Sequence, residues 1–186
     1  MNKRVVIAAG HWPLAPGAQY FGLSEHDEAL KVVGHLGKIL RALGYEPVTV
    51  AGPLGMKTGA ANAADALCAV EVHFNASTNP TADGCETLYG SDPHDKPLAE
   101  AIQKALVARL RIRDRGTKFA DYAGTVDTVG ECAWTRLIKC PAAIVEPLFL
   151  SNAQEAGRLQ GELAEHAQIA AAIAEGIRGW ELKIED

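Results

Sequence analysis

The sequence predicts an α/β domain: a mixed, mostly parallel sheet of about six strands flanked by helices, in one domain spanning residues 1–186. Two observations carry this. Apolar runs alternate with stretches of helical periodicity, the pattern of a layered α/β chain. Three of the runs, Val5–Ala9, Cys68–Val72 and Ala142–Val145, are almost continuously hydrophobic, as strands covered on both faces are. At 186 residues and 48% hydrophobic content, the chain can bury a substantial core without disulfides or a structural metal.

The elements follow in order. The first strand spans about residues 4–9. Helix one begins at Ser24, where Ser24-Glu25-His26-Asp27 has the form of a capping box. Leu30, Val33, Gly37, Leu40 and Leu43 form its expected buried stripe, and Gly44 ends it. Strand two covers Glu46–Val50. The Gly/Pro-rich stretch from Ala51 to Gly59 reads as loop, and an Ala-rich helix over about residues 60–66 leads into the Cys68 strand. Gly84–Tyr89 reads as a further strand, bounded by Asp83-Gly84 and Gly90-Ser91-Asp92-Pro93. Leu98, Ile102, Leu106 and Leu110 mark a second long helix. Residues 114–133 show no period and predict a long surface loop. Ala133–Lys139 and Ala142–Glu146 read as neighbouring strands divided by Cys140-Pro141, and Ile169, Ile173, Ile177 and Trp180 line a C-terminal helix.

A net charge of −5 and a pI near 5.7 exclude the basic footprint of a nucleic-acid binder and charge-driven adhesion to anionic membranes. The basic start Met1-Asn2-Lys3-Arg4 leads into too few apolar residues for a signal-peptide core, and Gly10-His11-Trp12-Pro13 breaks the run. No stretch approaches the ~20 apolar residues of a membrane span. The expectation is synthesis in the cytoplasm without a signal peptide, and no membrane insertion. Cys68, Cys85, Cys132 and Cys140 form no CxxC pair and read as buried free thiols.

Chemistry concentrates at the strand ends. Val5–Gly10 leads into His11, Cys68–Val72 into His73, and Ala142–Val145 into Glu146. In an open α/β sheet, ligands collect at the carboxyl ends of the strands. A lone histidine there is more often a satisfied polar residue than a ligand, but together these residues look like a metal site. Catalytic zinc usually takes three protein ligands and keeps one position open. His11 and His73 would supply imidazoles. Glu25 is the natural third ligand, because the first turn of a helix favours an ionised carboxylate, with His26 beside it as the alternative. Glu146 would then act as the base that takes a proton from the attacking water and returns it to the leaving amine. His35, His94 and His166 read as surface residues, and Glu86 as part of a solvated sheet face.

At these residues the chain resembles zinc-dependent N-acetylmuramoyl-L-alanine amidases of the type 3 catalytic-domain family, over nearly its whole length. The matching segments are Ala9-Gly10-His11; Glu25 five residues before Leu30; His73-Phe74-Asn75-Ala76; Gly84-Cys85-Glu86-Thr87-Leu88-Tyr89; and Pro141 to Glu146 followed by Phe149-Leu150-Ser151-Asn152. The resemblance implies Zn2+ held by His11, Glu25 and His73, with Glu146 as catalytic acid/base, and so favours Glu25 over His26. Departures surround the site without removing a ligand or the base. Trp12-Pro13 replaces the usual glycines after the first histidine, and Ala51-Gly52 a Thr-Arg pair. Lys57 stands for an arginine, Leu67 for an aspartate, Glu71 for a serine two residues before His73, and Leu148 for a glycine.

The implied activity is hydrolysis of the amide between N-acetylmuramic acid and L-alanine in peptidoglycan. The expected partner is peptidoglycan or a muropeptide, with no nucleic acid, and the protein is expected to act as a monomer. The absence of a leader favours a phage or prophage endolysin that acts on the wall after release. The alternatives are a cytosolic muropeptide-recycling amidase, a zinc exopeptidase or deacylase, and a non-catalytic peptidoglycan-binding module.

Overall fold

The computed structural model describes residues 3–120, 133–161 and 164–185. In chain order the elements are β1 (Arg4–Ala9), β2 (Gln19–Tyr20), β3 (Leu23–Ser24), α1 (Glu25–Ala42), β4 (Glu46–Val50), α2 (Leu54–Ala63), β5 (Cys68–Val72), β6 (Cys85–Tyr89), α3 (Asp95–Leu110), β7 (Asp114–Phe119), α4 (Ala133–Leu137), β8 (Ala142–Glu146), α5 (Ala153–Leu159) and α6 (Ala164–Glu185). They form a single α/β domain around a mixed, mostly parallel sheet of six strands in the order β4-β1-β5-β8-β6-β7. The strands β2 and β3 pair separately as a short hairpin.

The first four strands of that order run parallel, so β1, β5 and β8 end at the same edge. Ala9 is registered with Val72 and Val72 with Val145, which brings the residues that follow them side by side. Next, β6 reverses direction against β8, and β7 runs parallel to β6. The reversal has a positional consequence: Glu86, near the start of β6, faces Glu146, at the end of β8.

Alternate strand residues feed two cores. Val5, Ile7, Val70, Val72 and Val145 pack with Leu36 and Leu40 of α1, Leu98, Ile102 and Leu106 of α3, and Ile169, Ile173, Ile177 and Trp180 of α6. Each such side chain removed from water contributes about 1.5–3 kcal/mol, so this layer dominates the stability of the fold. Gly176 lets α6 lie on α3, since a Cβ there would sit 2.5 Å from Ile102 Cα. On the other face Val6, Ala8, Ala69 and Ile144 pack under Ala61 of α2 and Trp134 of α4.

Several expectations are corrected. Helix one starts at Glu25 with Ser24 as its cap, but Leu30 and Leu43 are exposed; Ala29, Val32 and Leu36 join Val33, Gly37 and Leu40 on the buried face. The Ala-rich helix occupies Leu54–Ala63 rather than residues 60–66, so Gly55 and Gly59 of the expected loop are helical. Residues 114–119, expected as loop, form β7; residues 121–132 of that expected loop lie outside the described residues. The expected strand over Ala133–Lys139 is the single-turn helix α4, which buries Trp134 beneath the sheet. His166 is fully buried rather than at the surface, its Nε2 2.6 Å from Glu28 Oε2 of α1. Cys68 and Cys85 are buried free thiols and Cys140 is half-buried, while Cys132 lies outside the described residues.

Candidate metal centre

The carboxyl edge of the sheet gathers the residues expected from the sequence. His11 follows β1 after Gly10, whose amide continues the ladder by donating to Val72 O at 2.6 Å. His11 itself adopts a left-handed backbone (φ 58°), a conformation uncommon outside glycine and enriched at functional sites. His73 extends β5, its amide donating to Val145 O at 2.9 Å. Glu25 opens α1 behind the Ser24 cap, whose hydroxyl oxygen accepts the Asp27 amide at 3.3 Å.

Glu25 is the hub. Its Oε2 lies 3.0 Å from His11 Nε2 and accepts the Ala18 amide at 3.0 Å. Its Oε1 lies 2.8 Å from His73 Nδ1 and accepts the Phe74 amide at 3.2 Å. The two imidazoles meet edge to face with centroids 5.0 Å apart. One ligand atom from each of His11, Glu25 and His73 lies within 4.8 Å of the others. Close approach demands glycine on two sides: a Cβ on Gly17 would sit 2.4 Å from Glu25 Oε2, and one on Gly10 2.6 Å from His73 ring atoms. His26, the alternative ligand, turns away and donates from Nδ1 to Gly10 O at 2.8 Å.

Burial pushes the Glu25 carboxyl up, but hydrogen bonds and charge from His11 and His73 hold it well below the usual carboxylate range. Burial pushes His73 down, yet Glu25 and Glu71 raise it well above the usual imidazole value. Two imidazoles and one ionised carboxylate could together hold a metal ion, which would replace the protons these groups otherwise share.

Glu146 differs from every other carboxylate at this edge. It is buried, and among the described residues no group bonds its Oε2. Burial pushes its carboxyl up to about 8; nearby His73 opposes the shift, while Glu25, Glu86 and Glu71 reinforce it. Glu86 is buried too, not solvated as expected. Asn75 Nδ2, Arg115 Nε and Lys118 Nζ donate to it at 2.8, 2.6 and 2.5 Å. Burial raises Glu86, but Lys118 and Arg115 bring it below the ordinary value.

The Phe149-Leu150-Ser151-Asn152 segment frames the site. Phe149 bridges Asn75, Ser151 Oγ accepts the Ser77 amide at 2.9 Å, and Asn152 caps α5. One pair goes beyond what the sequence reading assigned. Lys57 of α2 and Glu71 of β5 form a buried ion pair against His73. Their signal was present as two departures from the family pattern, an arginine position and a serine position, though not as a contact.

A family model described as N-acetylmuramoyl-L-alanine amidase matches residues 5–179. The chain is 34% identical over 185 residues to the Bacillus subtilis (strain 168) protein YqiI, covering 95% of this chain and 84% of that one. It is 29% identical over 168 residues to N-acetylmuramoyl-L-alanine amidase LytC of the same organism, covering 86% of this chain but 32% of LytC, so it spans about a third of that relative. Among solved structures, N-acetylmuramoyl-L-alanine amidase AmiC2 of Nostoc punctiforme superposes with a TM-score of 0.85 at 26% identity, covering 96% of this chain and 97% of that one.

Proposed function

This chain belongs to the N-acetylmuramoyl-L-alanine amidase family, and on that premise we propose that it is a zinc-dependent enzyme in which His11, Glu25 and His73 hold the ion and Glu146 moves the proton. The bond cleaved is the amide joining the lactyl group of N-acetylmuramic acid to L-alanine. The observation that carries the reading is Glu146, a buried carboxylate with a raised pKa and an oxygen unbonded among the described residues, beside a His–Glu–His trio.

When bound, zinc supplies Lewis-acid polarisation of the amide carbonyl and lowers the pKa of water. Glu146, ionised, accepts a proton as water oxygen bonds to the carbonyl carbon. It then donates that proton to the alanine nitrogen as the C–N bond breaks, leaving a lactyl carboxylate and a free amine. Ionised Glu25 keeps both histidines turned toward one point. Glu86 is paired with Arg115 and Lys118, and among the described residues no cation pairs with Glu146.

Metal analysis tests the assignment. His11→Ala, Glu25→Ala and His73→Ala should each lose zinc, whereas Glu146→Gln should keep zinc and lose turnover. Full activity after thorough chelation would falsify the metal requirement. Mass spectrometry of digested peptidoglycan checks the bond: free lactyl-bearing glycan ends are expected, and cleavage within the stem peptide would instead assign a peptidase.

We further propose that the protein acts on intact wall as a phage-type lysin. Hydrolysis of soluble muropeptides without hydrolysis of intact sacculi replaces it with a recycling amidase.

A further inference from the structure

His73 is held between two carboxylates, one on each ring nitrogen. Nδ1 lies 2.8 Å from Glu25 Oε1, and Nε2 lies 3.2 Å from Glu71 Oε2. We infer that Glu71, clamped by Lys57, is a positioning residue for His73: its carboxylate accepts the Nε2 proton and thereby turns Nδ1, lone pair outward, toward the centre shared with His11 and Glu25. The inference rests on the reading that His73 is a zinc ligand.

Three features support it. Glu71 stands two residues before His73 along β5, and strand side chains alternate, so both project from the same face while Val72 packs among the helices. A neutral imidazole carries one N–H, so a ring that offers a lone pair at one nitrogen must hold its proton at the other. Glu71 Oε2, 3.2 Å from that other nitrogen, is placed to take its proton, the arrangement by which a carboxylate orients a metal-binding histidine.

Glu71 is itself fixed. Lys57 Nζ donates both to Glu71 Oε1 and, at 3.0 Å, to the Ala9 carbonyl at the end of β1. Both charged side chains are 4% exposed, so neither has solvent into which to swing. The backbone at Gly10 closes on the ring, where even a methyl group would sit 2.6 Å from Cε1, Nδ1 and Nε2. Carboxylate, ammonium and backbone thus specify one orientation of the imidazole from α2, β5 and β1 together.

Proton–nitrogen correlation spectra of the isotope-labelled, zinc-loaded protein read the tautomer directly. The expected result is a proton on His73 Nε2, and a proton on Nδ1 overturns the proposal. Chelator competition with Zn2+ supplies the second readout. The double variant Lys57→Met/Glu71→Leu removes both buried charges together, which protects the fold, and should bind zinc 10–100-fold more weakly. Lys57→Met/Glu71→Gln, whose amide oxygen still accepts from Nε2, should recover most of that loss. Wild-type affinity in both doubles means that the pair is structural only, and the proposal falls while the metal reading stands. If instead His73→Ala binds zinc as tightly as wild type, the ligand assignment itself is wrong. Melting of the metal-free variants confirms that each is folded.

Discussion

Glu86 and Glu146 face each other across β6 and β8, both about 95% or more buried, and they are opposites electrostatically. Glu86 carries an arginine, a lysine and an asparagine; Glu146 has no cation and an unbonded oxygen among the described residues. The first is held ionised below its ordinary value, and the second is pushed up to about 8 by burial. Residue type and depth do not decide what a carboxylate does here; its partners do. Environments that separate the pKa values of two neighbouring acids suit them to different roles, one to a fixed charge and the other to the proposed proton transfer.

The contrast can be broken most violently at Glu146. Glu146→Gln removes the proposed proton carrier and should lower kcat by about 10²–10⁴-fold with zinc content unchanged, read from steady-state kinetics and metal analysis. Glu86→Gln tests the other side. It strands Arg115 and Lys118 against a neutral amide and should destabilise the fold by about 3 kcal/mol in urea denaturation, while reducing kcat far less than Glu146→Gln does. Because the folded pKa of Glu86 is depressed, its contribution is present at neutral pH and should fade as pH falls below about 4.

Glu146 should show the reverse sign in the metal-free protein. Its folded pKa is raised from 4.5 to about 8, so the folded state holds the proton more tightly and stability declines as pH rises through that window. Metal-free Glu146→Gln should therefore gain on wild type by about 1–3 kcal/mol at pH 9 relative to pH 4, measured by thermal melts at the two pH values. Equal pH dependence in the two proteins would remove the distinction between the carboxylates. The smallest effect belongs to Arg115→Met, which leaves Lys118 on Glu86 and should cost about 1 kcal/mol in the same urea titration.

The sequence made some of this legible and hid the rest for identifiable reasons. β1, β5 and β8 are readable because both faces are buried, which demands near-continuous apolar runs and leaves His11, His73 and Glu146 conspicuous at their ends. β7 hides because it is an edge strand of charged and polar residues, Asp114-Arg115-Gly116-Thr117-Lys118, with only Phe119 apolar. α4 reads as a strand because five residues are too few to show a helical period. Glu86 and His166 look solvated in sequence because the cations on Glu86 lie 29 and 32 residues away and the partner of His166 lies 138 away. Lys57 and Glu71 were visible singly as departures, but only the fold brings them into contact. Local pattern thus marks the candidate ligands and base, whereas long-range pairing decides which charges are satisfied.

The edge strand β7 also bears on the molecule's dealings with its own kind. Among the described residues it lies at the edge of the sheet, a position from which a flat, greasy strand would template pairing between molecules. Here Arg115 and Lys118 roughen it, and Gly116, at φ 77° where the register with β6 slips, bends it. The cations that neutralise Glu86 thus also guard against aggregation, and a variant made greasy at 115 and 118 should lose solubility along with its charge balance.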